Sequence, residues 1–198
     1  GKWQYSILAN FVAGTGSGTG IGTLTNGLCD IAMNSRPVKD SENTTCFDQN
    51  GEYLRSYVIA SDAIAIIVND DANDAWAGLT IDEARAIFNG TWTSWVEVDA
   101  GTGTTSGLTG EIVVCVREQG SGTRDFFNDV VMGDEDQEAP GSQYATGAEE
   151  YSGNSGIYDR VANNEAAIGY IGLAYVETGV ETVLIDGVEA TKPNAVLG

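Results

Sequence analysis

The residues best suited to chemistry lie in one stretch, Arg117-Glu118-Gln119-Gly120-Ser121-Gly122-Thr123-Arg124, between an apolar run at 111–116 and a helix-like run reaching Met132. Glycines let a backbone approach a ligand closely. A helix starting here would aim unpaired N–H groups and the positive end of its dipole at that ligand. Ser121 and Thr123 offer hydroxyls, and Arg117 adds a planar cationic fork that matches the oxygens of a tetrahedral oxyanion. The same Gly-Ser-Gly-Thr recurs at 16–19, again between a strand-like run, 3–12, and a helix-like one. Each copy alone also serves as a plain turn or helix cap, because Ser and Gly are default cap residues. Recurrence in matching context, with an arginine at one edge, sets an equal reading beside that one: two turns, Ser17-Gly18-Thr19 and Ser121-Gly122-Thr123, that enclose a small anion.

Composition limits what else the chain can do. Its net charge is −20, from 29 acidic and 9 basic residues, so its field repels phosphate backbones and nucleic acid is not expected as a partner. That field also slows small anions. A local basic focus must outweigh it, and Arg36, Arg117 and Arg124 are the candidates. High salt would screen both self-repulsion and anion exclusion, which suits a halophilic or archaeal source. With no histidine and no CxxC spacing among three cysteines, zinc sites, haem attachment and Ser-His or Cys-His pairs are excluded. No catalytic residue, metal ligand or cofactor is therefore expected. Cys29 and Cys46 are read as a disulfide closing a short loop, in keeping with an oxidising exterior, and Cys115 as a buried thiol. Asn43 and Asn89 begin N-x-Thr patterns and are read as glycosylation acceptors. Together these features point outside the cell.

The elements that must hold the turns alternate between strand and helix. Residues 3–12 read as a strand, and Ile21, Leu24 and Leu28 as one face of a short helix. Residues 29–33 read as a strand delivering Asn34-Ser35-Arg36-Pro37 at its carboxyl end, where ligands collect in open α/β sheets. Residues 39–52 read as a polar loop. The apolar run 57–68 is interrupted by Ser61-Asp62, and Asp62 is either a crossing point between lobes or a hydrogen-bonded structural acid. Thr80 and Glu83 form a capping box before Ile81, Ala84, Ile87 and Phe88. Trp92 and Trp95 lie in a turn and read as core rather than a sugar platform. A Gly/Thr-rich loop, 101–110, leads into the 111–116 strand. Phe126, Phe127, Val130 and Val131 then make an apolar helix face, and residues 133–142 form an acidic loop. Asn154 caps a helix through Ile157 and Val161, residues 166–170 are a buried strand, and 182–185 are a strand ended by Asp186-Gly187. The pattern predicts an α/β fold. Neither GxGxxG, a Walker lysine nor GxSxG is present, so nucleotide and hydrolase readings lack their motifs.

The order of these pieces resembles the phosphate-binding solute-binding proteins of ABC transporters, a periplasmic-binding-protein-like family. The resemblance runs through Gly16 to Ile21, Asp30 to Arg36, Ser61 to Asn69, Leu79 to Gly90 with Trp95, Val116 to Arg124 and Ala167 to Tyr170. It implies two α/β lobes with a hinge and an inter-lobe ligand cleft, here residues 1–62 plus 177–198 and residues 63–176. It implies a dehydrated inorganic phosphate held by Ser17, Ser35, Arg117, Ser121, Gly122 and Thr123, with Gly18, Thr19 and Arg36 beside them. Asp62 becomes the substitute for an acceptor aspartate that some members place where Ser35 stands. Such an acceptor would separate hydrogen phosphate, which has a proton to donate, from sulfate, which has none. An ABC-transporter permease is the implied partner, and extracellular or cell-surface placement the implied location. Members carry an additional strand, serine/threonine turn and helix before the first matching piece, and a strand and helix after the last. The chain is accordingly expected to be a fragment or to be completed by another chain. A second expectation of a different class is an acidic, glycosylated surface-layer or filament subunit, a homopolymer that reuses this fold.

Overall fold

Alternating side chains along three central strands give the sheet two buried faces. The computed structural model describes residues 16–34, 36–59, 63–134 and 139–197. Its elements are α1 (Gly16–Thr25), α2 (Asp40–Asn50), β1 (Ile64–Asn69), α3 (Ile81–Phe88), α4 (Trp95–Thr102), β2 (Val113–Arg117) and α5 (Gly122–Phe127), which runs into a π-helical turn, Asn128–Met132. β3 (Glu149–Tyr151), α6 (Asn154–Ala162), β4 (Ala167–Gly172), β5 (Val180–Thr182) and α7 (Lys192–Leu197) follow. Contacts group the chain into two units, Gly1–Ile59 with Gly120–Gly122, and Ala60–Gln119 with Thr123–Gly198.

The second unit is built on one sheet of order β3-β2-β4-β1-β5. β3, β2 and β4 are parallel, whereas β1 is antiparallel to both β4 and β5. Even-numbered residues Ile66, Val68, Val114, Val116, Ile168 and Tyr170 share one core with Phe88, Trp95 and Phe127. Odd-numbered Ala65, Ile67, Cys115, Ala167 and Ile171 share the other with Ile157 and Val161 of α6. Gly169 decides how closely α6 can approach. A Cβ there would sit 2.4 Å from Ile157 Cγ2 and 3.2 Å from Cys115 Cβ. α3 starts as its capping box predicts: Thr80 N–H donates to Glu83 at 2.7 Å, and Glu83 N–H donates to Thr80 Oγ1 at 3.2 Å. Trp95 is fully buried, with its indole N–H on the Ala166 carbonyl at 3.1 Å, which bears out its core reading.

Several local expectations change. Residues 39–52 are not a loop, because Asp40–Asn50 is helical. Asp40 and Glu42 complement the positive end of the helix dipole in the first turn, and Gly51 (φ 73°) ends it with its N–H on the Phe47 carbonyl. The turn after Trp92 becomes α4, started by the Glu97 carboxylate, which accepts the N–H groups of Thr93 (2.7 Å) and Ser94 (3.0 Å). Residues 29–33 make no strand, and Ile31 and Met33 are exposed. α1 stops at Thr25, so Leu28 lies beyond it, exposed. The helix face after Gly122 is narrower than its spacing suggests: Phe127, Val131 and Met132 are buried, while Phe126 and Val130 are exposed. The final strand is shifted to 180–182, and Asp186 (φ 50°) and Gly187 (φ 76°) make the tight turn beyond it. β5 pairs with β1, and residues 177–198 group with the second unit rather than with residues 1–62. The strand expected at 3–12, Ser61-Asp62 and most of the acidic run at 134–138 lie outside the described residues.

Candidate anion site

At the end of β2 the chain turns sharply, so Glu118 comes beside the arginine it follows. Arg117 Nε donates to Glu118 Oε2 at 2.9 Å and Nη2 to Oε1 at 3.0 Å, a two-point pair that fixes the guanidinium plane. The Gly153 N–H also donates to Glu118 Oε2, at 3.1 Å. Burial would raise the Glu118 carboxyl, but Arg117 and the N–H groups of Glu118 and Gly153 outweigh it and hold the group below its ordinary value of 4.5. The third guanidinium nitrogen, Nη1, donates to Asn154 Oδ1 at 2.9 Å and lies 3.5 Å from Thr123 Oγ1. Asn154, the first residue of α6, also accepts the Gly172 N–H at 3.3 Å, so one side chain ties β4, α6 and Arg117 together. Arg117 Nη1 thus sits between Asn154 Oδ1 and Thr123 Oγ1, which brings a cationic donor beside a hydroxyl.

Ser121 and Gly122 are buried at the start of α5. They group with the unit that contains Ser17, Gly18 and Thr19. Those three residues open α1, where Ser17 is buried and Thr19 exposed. The first Gly-Ser-Gly-Thr copy thus forms the first turn of α1, while the second straddles the start of α5, with Gly120 and Ser121 before it and Gly122 and Thr123 inside it.

Two of the three candidate cations are held by partners that spacing did not reveal. Arg36 is buried and paired with Glu42, Nη1 to Oε2 at 3.0 Å and Nη2 to Oε1 at 2.8 Å, and Nη1 also reaches the Pro37 carbonyl at 2.9 Å. It anchors its segment to α2, and a Cβ at Gly18 would be 3.8 Å from its Nη2. Arg124 donates through Nη1 to the Arg117 carbonyl and to Glu150 Oε2, both at 2.7 Å, and its guanidinium lies 5.0 Å from the centre of the Tyr144 ring. It braces the turn from behind. Ser35 and Asp62 lie outside the described residues.

The expected disulfide is not formed: Cys29, Cys46 and Cys115 are all free. Cys46 is buried on α2, where its sulfur meets Asn50 Nδ2 at 3.6 Å. The same nitrogen donates to the Thr25 carbonyl at 2.8 Å, so a hydrogen bond ties α2 to α1 there. Burial first, then the Glu149 carboxylate, push the Cys115 thiol up to about 12, in keeping with its reading as an inert core group. Of the two glycosylation candidates, Asn43 accepts the Leu54 N–H at 2.9 Å. Asn89 ends α3, and its Nδ2, the atom a glycan would take, donates to the Gly141 carbonyl at 3.1 Å.

An α/β sheet with an arginine-edged glycine and hydroxyl turn leaving a strand's carboxyl end is an arrangement suited to holding an anion. The chain belongs to the PBP superfamily, whose domain matches residues 9–194. Phosphate-binding protein PstS of Pseudomonas aeruginosa is 29% identical over 180 residues, 88% of this chain and 53% of that protein. A substrate-binding protein of Clostridium perfringens, solved with bound phosphate, is 34% identical with a TM-score of 0.74, across 92% of this chain and 66% of that one. An ABC-type phosphate transport receptor of Vibrio cholerae is 28% identical with a TM-score of 0.67, across 91% and 66%. The chain spans about half the length of the curated relative and two thirds of these structures.

Proposed function

We propose that this chain belongs to an extracytoplasmic, non-enzymatic protein that binds inorganic phosphate and presents it to the permease of an ABC transporter. The observation that carries the reading is the Arg117 turn, with its guanidinium held in plane by Glu118 and its Nη1 3.5 Å from the Thr123 hydroxyl. Relatives named for phosphate support that ligand over other oxyanions. Arg117, Ser121, Gly122 and Thr123 are the proposed contacts of this turn, and Ser17, Gly18 and Thr19 those at the start of α1. Ser35 is proposed as a further donor and Asp62 as the acceptor of the hydrogen phosphate proton. Arg36, held by Glu42 as Arg117 is held by Glu118, is proposed to stand beside these donors.

Pairing Arg117 with Glu118 leaves the turn nearly neutral. Fixed N–H and O–H dipoles then stabilise the anion, and they need no reorganisation when it arrives. A protein of net charge −20 can bind an anion this way without a large basic patch. The relatives lend no support to a surface-layer or filament role, and that expectation is not carried forward.

Titration calorimetry of the full-length protein with phosphate and with sulfate tests the proposal. One saturable phosphate site and a much weaker sulfate response are expected. Absence of phosphate heat from folded protein overturns the reading, and equal affinity for both anions overturns the acceptor assigned to Asp62.

A further inference from the structure

Tyr170 is fully buried in β4, yet it grips both ends of the anion turn. Its hydroxyl accepts the Arg117 N–H at 3.2 Å, at the end of β2. Its ring stacks on Phe127 of α5, with centroids 3.9 Å apart and planes 8° from parallel. The hydroxyl also meets Tyr144 Oη at 3.0 Å, and Tyr144 donates to Asn128 Oδ1 at 2.6 Å, where the π-helical turn begins. The hydrogen-bond direction is fixed from both ends. An amide N–H can only donate and a side-chain carbonyl oxygen only accept, so the chain runs from Arg117 N–H through Tyr170 and Tyr144 to Asn128. One aromatic residue and its hydroxyl partner therefore span the strand before the turn and the helix after it.

We propose that Tyr170, acting through Tyr144, is a positioning residue for anion binding: it sets the separation of β2 and α5, and with it the alignment of Arg117 with Thr123. The proposal rests on the phosphate reading above for its ligand, but its geometry stands apart from that reading. Burial raises both tyrosine hydroxyls above their ordinary range, so both stay protonated at physiological pH and the chain of donors persists. The π-helical turn that starts at Asn128 fits this role, since such turns are frequent at functional sites.

The test uses Tyr170→Phe, Tyr144→Phe and the double variant of the full-length protein. Phenylalanine keeps the stacked ring and removes only the hydroxyl. At a temperature where all forms are folded, Tyr170→Phe should weaken phosphate binding by roughly fivefold, the scale of one net hydrogen bond. Tyr144→Phe should weaken it less, and the double variant no more than Tyr170→Phe, because the hydroxyls act as one chain. Wild-type affinity in both single variants, or additive losses, would overturn the proposal. If Tyr170→Phe does not fold, Tyr144→Phe decides, with unchanged affinity counting against the clamp. If the unaltered protein binds no phosphate, the functional reading fails, and amide exchange judges the clamp alone. Faster exchange at Arg117 in Tyr170→Phe, with Val114 unchanged, supports it, and unchanged exchange at Arg117 overturns it.

Discussion

Arg117→Ala is the perturbation whose size the structure constrains best. It deletes two bonds to Glu118, at 2.9 and 3.0 Å, and one to Asn154 at 2.9 Å. Glu118 keeps the Gly153 N–H at 3.1 Å. Truncating one partner of a desolvated charged hydrogen bond costs about 2 to 5 kcal/mol. Phosphate affinity should therefore fall by roughly 30-fold to 5,000-fold. The stability cost is smaller, because the Arg117 and Glu118 side chains are 11% and 26% exposed and water partly replaces the lost partner. About 1 to 2 kcal/mol is expected, a melting temperature lower by roughly 2 to 8 °C. Arg117→Lys separates charge from shape: an ammonium cannot make both in-plane bonds to Glu118, so it should recover less than half of the lost binding free energy. Calorimetry at 25 °C, with folding checked by thermal denaturation, measures both quantities. Arg117→Ala binding phosphate like the unaltered protein would remove Arg117 from the site, and full recovery by Arg117→Lys would refute the argument from the planar fork.

Thiol counting on denatured, unreduced protein should find three groups, and in the native state the partly exposed Cys29 should react well before buried Cys115; a count of one would restore the disulfide between Cys29 and Cys46. Gly169→Ala should destabilise the second unit by about 1 to 3 kcal/mol through overpacking, since the new methyl would lie 2.4 Å from Ile157 Cγ2, and an unchanged denaturant midpoint would show that α6 moves freely. Glu42 and Glu118 are held below 4.5 by Arg36 and Arg117 against the opposing pull of burial, so their stabilisation is complete above that value and is lost as pH falls through the lowered ones. Melting temperature should hold steady from about pH 8 to pH 6 and decline below about pH 4.5, less steeply in a Glu42→Gln, Glu118→Gln variant. An acid profile of that variant parallel to the unaltered protein would show that neither pair contributes.

The fold was legible where the local signal is strong. β1, β2 and β4 are apolar runs of five or six residues buried on both faces, and α3 carries both a capping box and an apolar stripe. α2 was not legible, because Asp40–Asn50 has a single buried residue, Cys46, and thus no stripe to read. Its signals were at the ends, acids in the first turn and glycine after the last. α4 hides a Ser94-to-Glu97 capping box behind a tryptophan turn in the same way. Residues 29–33 fail for the opposite reason: they are apolar enough for a strand, but Ile31 and Met33 are exposed, so composition without pairing makes no sheet.

The candidate turn at 117–124 was readable because it is local, eight consecutive residues whose types state their chemistry. Its support was not. Asn154 reaches Arg117 across 37 positions and Tyr170 across 53, and sequence spacing carries no trace of such pairs. Glu118 is the instructive case, because adjacency in sequence does not by itself reveal the pair. Successive residues of a strand point to opposite faces, so Arg117 and Glu118 should not meet. They meet because the strand ends at Arg117 and the backbone turns, placing both charges on one side. That turn changes the electrostatic argument drawn from composition. A focus of unpaired positive charge was expected to overcome the acidic surface, yet Arg36, Arg117 and Arg124 each have a carboxylate partner within 3.0 Å. Attraction at the site must then come from oriented donors at short range, where they outweigh a field that salt screens within about 10 Å. Phosphate affinity should accordingly depend on donor geometry much more than on ionic strength.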